Sequence, residues 1–299
     1  MTTNDIFSHT FRNMGRELGL KVELFEGHIV AFPTMWRKAL STESQFCKAV
    51  VACHYLSERQ MLRAARRYRL GATRQQGVIF WQIDNHDAIH DGKVMYYLPD
   101  CHRDKGRHPT WVSTLLARRD PFPNAPHETS HCLFGLHLLS YATARTVAIV
   151  EAEKSAVILS ELYPQSIWLA TGGLGNIQAD KFRPLRGHKV ILFPDTDPEG
   201  TTYRRWYEAA QLVMQQSFWE DSPPIRVSPL LEQHATEEQK SRKIDLVDYL
   251  FESELMSHGN HRKHRKVPQI TSLRRSPRPC LRRSPLPCRQ LRGGSNWGA

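Results

Sequence analysis

Val147-Ala148-Ile149-Val150-Glu151 and Val190-Ile191-Leu192-Phe193-Pro194-Asp195-Thr196-Asp197 are two apolar runs that each end in acid. Uninterrupted apolar runs of this length read as strands buried on both faces, as in a parallel sheet, rather than as the alternation of a half-exposed one. Between them lie a helical stripe of Ala156, Val157, Leu159 and Leu162 within residues 154–162, a short strand over 166–170, the turn Thr171-Gly172-Gly173, and a second expected helix over about 177–185. Strand, helix, strand, helix, strand predicts an α/β fold with a parallel sheet flanked by helices. Further on, Tyr203, Trp206, Tyr207, Ala210, Val213 and Phe218 trace one face of a helix, and Ile225-Arg226-Val227 reads as another short strand.

Open α/β sheets bind ligands beyond the carboxyl ends of their strands. Glu151 and the pair Asp195 and Asp197 are therefore expected to meet at one edge, as an oxygen-rich, negative pocket suited to Mg²⁺ or Mn²⁺. Without a cation, one of three crowded carboxylates would take up a proton. Asp195-Thr196-Asp197-Pro198-Glu199-Gly200 also has the composition of a plain turn, and the Glu151 partner is what favours a metal site.

These residues resemble the Toprim domain of bacterial-type primases, topoisomerases and some nucleases. The resemblance rests on Val150-Glu151, Gly172-Gly173 and Asp195-Thr196-Asp197-Pro198-Glu199-Gly200, and covers about residues 145–250. It implies Glu151 as general acid/base and Asp195 with Asp197 as metal ligands, all three in the catalytic and metal-binding set. Many relatives have glycine after the glutamate, where this chain has Ala152, followed by Glu153, Lys154 and Ser155. Upstream, Val78 to Asp84, Gly92 to Tyr97 and Phe134-Gly135-Leu136 are similar to the small mixed α+β region that precedes Toprim in primases. The likeness is greater still to primase-like proteins of bacterial mobile genetic elements, which share a Glu-Lys after the glutamate strand and an ending like Asp245-Leu246-Val247-Asp248-Tyr249-Leu250. Asp245 would add a fourth acid to the site, although Asp245 and Asp248 read first as the polar face of a helix that buries Leu246 and Leu250.

The expected organisation is an N-terminal segment over 1–45, a primase-like mixed region over 46–141, a Toprim domain over 145–252 and a disordered basic tail over 258–299. Charge follows that division. Residues 261–299 hold eleven Lys or Arg and no acid, and removing these from the chain's 41 basic residues leaves 30, against 30 Asp and Glu. The body is neutral and the tail carries the net +11. The tail also repeats itself, Leu273 to Cys280 followed by Leu281 to Cys288, in Arg- and Pro-rich sequence that cannot build a core.

Inside the body, Ser57 as N-cap with Gln60 predicts a capping box, and Leu56 is placed to staple onto Met61. On that helix Arg59, Arg63, Arg66 and Arg67 share a face, a candidate nucleic-acid surface as well as an ordinary solvated stripe. Lys93, Lys105 and Arg107 are further candidates for template or triphosphate contacts, by position in the primase-like pattern. The six cysteines form no Cys-x-x-Cys pair, and adjacent Cys53-His54 and Cys101-His102 lack ligand spacing, so no zinc is expected. A Walker-type phosphate loop and a nucleophile elbow are also missing. No apolar run reaches the ~18 residues that span a bilayer, and the start lacks a signal-sequence pattern, so the expectation is a cytoplasmic protein with no membrane partner. The implied partners are single-stranded DNA or a primer-template, nucleoside triphosphates, and a helicase or other replication protein. The implied activity is Mg²⁺-dependent primase-like nucleotidyl transfer. The alternatives are a Toprim nuclease and a non-catalytic nucleic-acid-binding protein that keeps the fold.

Overall fold

A computed structural model describes residues 20–25, 28–33, 44–117, 131–141 and 146–257. The basic tail and most of the N-terminal segment lie outside the described residues. The described residues belong to one compact unit, and so does every element below.

The unit holds two four-stranded sheets and a separate hairpin of β1 (Leu20–Phe25) with β2 (His28–Pro33). Helix α1 (Gln45–Ala52) starts at Ser44, whose side chain accepts from the Cys47 amide. Helix α2 (Glu58–Arg67) starts with the expected capping box, in which Ser57 and Gln60 satisfy each other's amides. An antiparallel sheet follows, in the order β3 (Gly71–Ala72), β4 (Val78–Ile83), β5 (Ile89–Met95) and β6 (Thr110–Trp111), continued by the short helix α3 (Val112–Ala117). Its packing is aromatic: Phe80 meets Phe46 at 5.5 Å and Phe134 at 5.4 Å between ring centroids, and Phe134 stacks on Tyr68 at 5.0 Å. Such pairs add directional attraction to the burial of large rings.

The second sheet is parallel. Its strands are β7 (Thr146–Val150), β8 (Ser166–Ala170), β9 (Val190–Phe193) and β10 (Arg226–Val227), arranged β10-β9-β7-β8. All of Val147 to Val150 are buried, because β7 lies between two neighbours and is covered on both faces. Helix α4 (Glu153–Leu162) links β7 to β8, and α5 (Thr201–Met214) follows β9. Three helices close the unit: α6 (Leu230–His234), α7 (Glu237–Arg242) and α8 (Leu246–Ser257). The apolar interior runs from Val147 and Leu169 through Leu192 to Trp206 and Val213.

Three local expectations are corrected. The second expected helix is present over Ala179–Leu185 but is of the 3₁₀ type; Pro184, inside it, lacks the amide that a longer ladder needs. On α5 the core face holds Trp206, Ala210 and Val213, while Tyr207 is 49% exposed, a residue's rotation away from the buried stripe. Asp245 is not on a solvated helix face: it is 7% exposed and caps α8, while Leu246 and Leu250 are buried as expected.

Candidate active site

Parallel pairing brings the ends of β7 and β9 side by side, with Val150 opposite Phe193. Glu151 leaves β7 there, and Asp195 follows β9 after Pro194. Asp195 lies close enough to Asp245, Glu151 and Asp248 to feel their charge: burial first, and then these carboxylates, push its carboxyl well above the usual range. Glu151, Asp245 and Asp248, from two further elements, thus lie within electrostatic reach of Asp195.

Lys154 is set among them. Its ammonium is 3.3 Å from Asp245 and 3.4 Å from Asp248, and its side chain is 13% exposed. Burial alone would lower its pKa, but the carboxylates of Asp245 and Asp248 outweigh that and hold it well above the ordinary value. Asp245 also accepts from the Ser155 hydroxyl at 2.6 Å and from the Asp248 amide at 2.8 Å, while Asp248 accepts in return from the Asp245 amide at 3.3 Å. The two aspartates form a reciprocal cap on α8, and Lys154 ties that cap to α4. Burial raises the Asp245 carboxyl, yet Lys154 and these hydrogen bonds bring it below the usual range.

Asp197 takes a different part. One of its oxygens accepts from the amides of Glu199 (3.1 Å) and Thr201 (3.0 Å), the other from the Thr202 amide at 2.6 Å. Burial opposes ionisation, but these donors, led by Thr202, lower its pKa to about 2. It thus anchors the first turn of α5, where a carboxylate meets both orphan amides and the positive end of the helix dipole. Among the described residues, no three His, Cys, Asp or Glu side chains gather closely enough to hold one metal ion. The hard oxygen donors Glu151 and Asp195 nevertheless suit Mg²⁺, which is commonly held by one or two carboxylates, waters and substrate phosphates.

The basic candidates separate by partner. Arg63 and Arg67 clamp Glu161 of α4, at 2.6 and 2.9 Å, and Arg67 also donates to the Ser160 hydroxyl at 2.8 Å. Both are committed to holding α2 against α4. Lys93, from β5, donates to Glu153 at 3.0 Å and to the Gly172 carbonyl at 2.8 Å, so it joins the antiparallel sheet to the loop after β8. Gly172 permits that approach: its φ is +75°, and a Cβ there would stand 2.9 Å from a Glu153 oxygen. Arg59, Arg66, Lys105 and Arg107 are exposed, with the Arg107 guanidinium stacked 3.2 Å over the Tyr96 ring.

The family described as a domain of unknown function, DUF6371, matches residues 44–196, more than half of the 299-residue chain. The chain belongs to the DUF6371 family. The match takes in Glu151, Lys154 and Asp195 and stops short of Asp197 and Asp245. No curated protein matches. Among solved structures, the primase fragment of the bacteriophage T7 primase-helicase protein is similar at 17% identity and a TM-score of 0.38, over 60% of this chain and 70% of that one. A structure of T7 lagging-strand DNA polymerase with two primase domains, an RNA/DNA hybrid and dTTP contains a chain that is 15% identical at a TM-score of 0.35, over 59% of this chain and 82% of that one. The zinc-binding and RNA polymerase domains of Aquifex aeolicus primase are 14% identical at a TM-score of 0.36, over 74% of this chain and 65% of that one.

Sequence reasoning missed the Glu153–Lys93 and Glu161–Arg63 pairs in this DUF6371 chain. The partners stand 60 and 98 residues apart, and neither pair has a local signature. Lys154 had a signal, a cation three residues after the strand-end glutamate, but its seat between Asp245 and Asp248 depends on where α8 docks.

Proposed function

We propose that this DUF6371 chain is a Mg²⁺-dependent, primase-like nucleotidyl transferase acting on nucleic acid, with its active site at the carboxyl ends of β7 and β9. The observation that supports the reading is the adjacency of the carboxyl ends of β7 and β9, which Glu151 and Asp195 follow, together with the influence of the Glu151 charge on the Asp195 carboxyl. Such an arrangement is unfavourable for folding alone and is understandable where a cation and a polyphosphate are to be received.

Glu151 and Asp195 hold the ion, and Asp197 fixes the loop by anchoring α5. Mg²⁺ bound there supplies neutralisation of triphosphate and transition-state charge. Glu151, only partly buried, accepts the proton of the attacking hydroxyl at its carboxylate. Lys154 neutralises Asp245 and Asp248 and so limits how much negative charge the substrate meets. The exposed Arg59, Lys105 and Arg107 offer sequence-independent contacts to a template backbone. The test is primer synthesis from labelled nucleoside triphosphates on single-stranded DNA with Mg²⁺, comparing wild type with Asp195→Asn. Loss of product in the variant is expected, and equal synthesis by both refutes the assignment. Cleavage of the same DNA without nucleotides would instead identify a nuclease using the same acids.

One observation favours a second reading, a non-catalytic nucleic-acid-binding protein. Lys154 already provides a cation at the acids, so the fold is partly neutralised without metal. A thermal-shift titration separates the two, since an ion bound only by the native state must raise the unfolding temperature. No shift at millimolar Mg²⁺ selects the non-catalytic protein.

A further inference from the structure

At the far end of the parallel sheet from the acids, where β8 begins at Ser166, a cleft of about 390 Å³ opens between α2 and the sheet. That volume is within the range of small-ligand sites. Arg66, Arg67 and Arg69 line it, together with His137, Tyr141 and the buried ring of Trp168, and no acidic side chain does. Just outside this lining Glu161 is shared by Arg63 and Arg67 and Asp87 offsets Arg69, while Arg66 has no ion pair among the described residues, so guanidinium groups remain in excess around the concavity.

Two of the three arginines are held in place. Arg67 is fixed by Ser160 and Glu161. Arg69 donates to Asp87 at 2.9 Å and to the Tyr141 hydroxyl at 3.2 Å, and that hydroxyl donates to Asp87 at 3.2 Å. Both Arg69 bonds use Nη2, so the Nε and Nη1 donors at the other edge of the planar group remain for an incoming anion. Arg66, on the last turn of α2, is exposed beside it.

The backbone of Arg69 points the same way. It occupies the position after the α2 cap with a φ of +52°, in the left-handed region that helices normally end on with glycine. A side chain there costs about 1 kcal/mol relative to glycine. This backbone conformation is shared with six other non-glycine residues among those described, and at Arg69 it places the guanidinium on the cleft rim. Tyr141, 66% exposed, offers an aromatic surface at the same rim. Burial drives the pKa of His137 down to about 4, and its ring is hydrogen-bonded to the Arg67 carbonyl at 3.0 Å, so this wall is neutral and leaves recognition of the anion to the arginines.

We propose that this cleft binds the phosphomonoester of a nucleoside, with the phosphate on Arg66 and Arg69 and the base against Tyr141. Arginine forks match phosphate oxygens in pairs, and an exposed aromatic ring stacks on any base. The phosphomonoester can belong to a free nucleotide or to the 5′ end of a strand. The site is separate from the acids and needs no metal.

The experiment is isothermal titration of the full chain in EDTA, which removes metal-dependent binding at the acids. The probes are a nucleoside monophosphate, the parent nucleoside, and an eight-nucleotide strand with and without a 5′-phosphate. Saturable binding of a phosphorylated probe, at least tenfold tighter than its unphosphorylated counterpart, is expected. The stronger of the two phosphorylated probes identifies the source of the ligand. Arg66→Glu is expected to weaken binding at least tenfold. Arg69→Gly is the decisive variant, because it relieves the left-handed strain while removing the guanidinium: it is expected to unfold no more easily than wild type by a large margin and to lose binding. Absence of binding by wild type, equal binding of phosphorylated and unphosphorylated probes, or retained affinity in folded Arg69→Gly each overturns the proposal.

Discussion

Replacing Lys154 with methionine keeps the aliphatic stem and deletes the ammonium from a corner where Asp245 is 7% exposed. At 3.3 and 3.4 Å, each contact with Asp245 and Asp248 has a gross attraction of about 5 kcal/mol at an effective dielectric constant near 20. Much of that is offset by the cost of desolvating three charges. The net loss on removing one partner of a buried pair is therefore expected at roughly 3–5 kcal/mol, because the remaining carboxylates stay buried without compensation. A domain stable by about 5–15 kcal/mol would survive this, narrowly. The loss should also depend on pH. Burial and Asp245 already hold the Asp248 carboxyl above its usual value, and without the lysine it rises further while that of Asp245 loses the charge that lowers it; the folded variant therefore binds more protons and recovers stability as pH falls through those raised values. Urea denaturation of wild type and Lys154→Met at pH 7.5 and pH 5 measures both effects. A difference below about 1 kcal/mol at pH 7.5, or one that does not shrink at pH 5, would refute the view of Lys154 as the counter-ion of this corner.

Asp195→Asn removes a charge that burial, Asp245 and Glu151 all disfavour, so it should stabilise the fold by on the order of 1 kcal/mol at neutral pH while abolishing primer synthesis; chemical denaturation beside the activity assay checks the pair of outcomes. Asp197→Ala should cost about 1–2 kcal/mol through loss of the α5 anchor. Since the folded Asp197 carboxyl lies near 2, below its unfolded value, its contribution is present above about pH 4 and is lost as pH falls toward 2. Wild type should accordingly show an acid loss of stability over that interval that is weaker in Asp197→Ala, as read by far-ultraviolet circular dichroism. Gly172→Ala meets both a φ of +75° and a Glu153 oxygen at 2.9 Å, and should lower stability by about 1–3 kcal/mol in thermal unfolding, with part of the loss absent in a Glu153→Ala background.

The parallel strands, the capping box at Ser57 and the burial of Leu246 and Leu250 were legible in the sequence, because each depends on residues within one or two turns of one another. That β7 and β9 end at the same edge was legible too, since parallel strands joined by crossovers bring their carboxyl ends together. The roles within that edge were not. Asp197 and Asp195 are two residues apart and chemically identical, yet one is occupied by the amides of α5, which lower its pKa, while burial and the charges of Asp245 and Glu151 raise that of the other. Likewise, four arginines on one helical face read as a single basic stripe, until Glu161 docks against two of them. Local pattern is set by backbone periodicity, which the sequence carries by itself. Which hydrogen-bond donor or counter-charge a side chain finally meets is decided by the docking of elements tens of residues apart, and only the tertiary structure contains that.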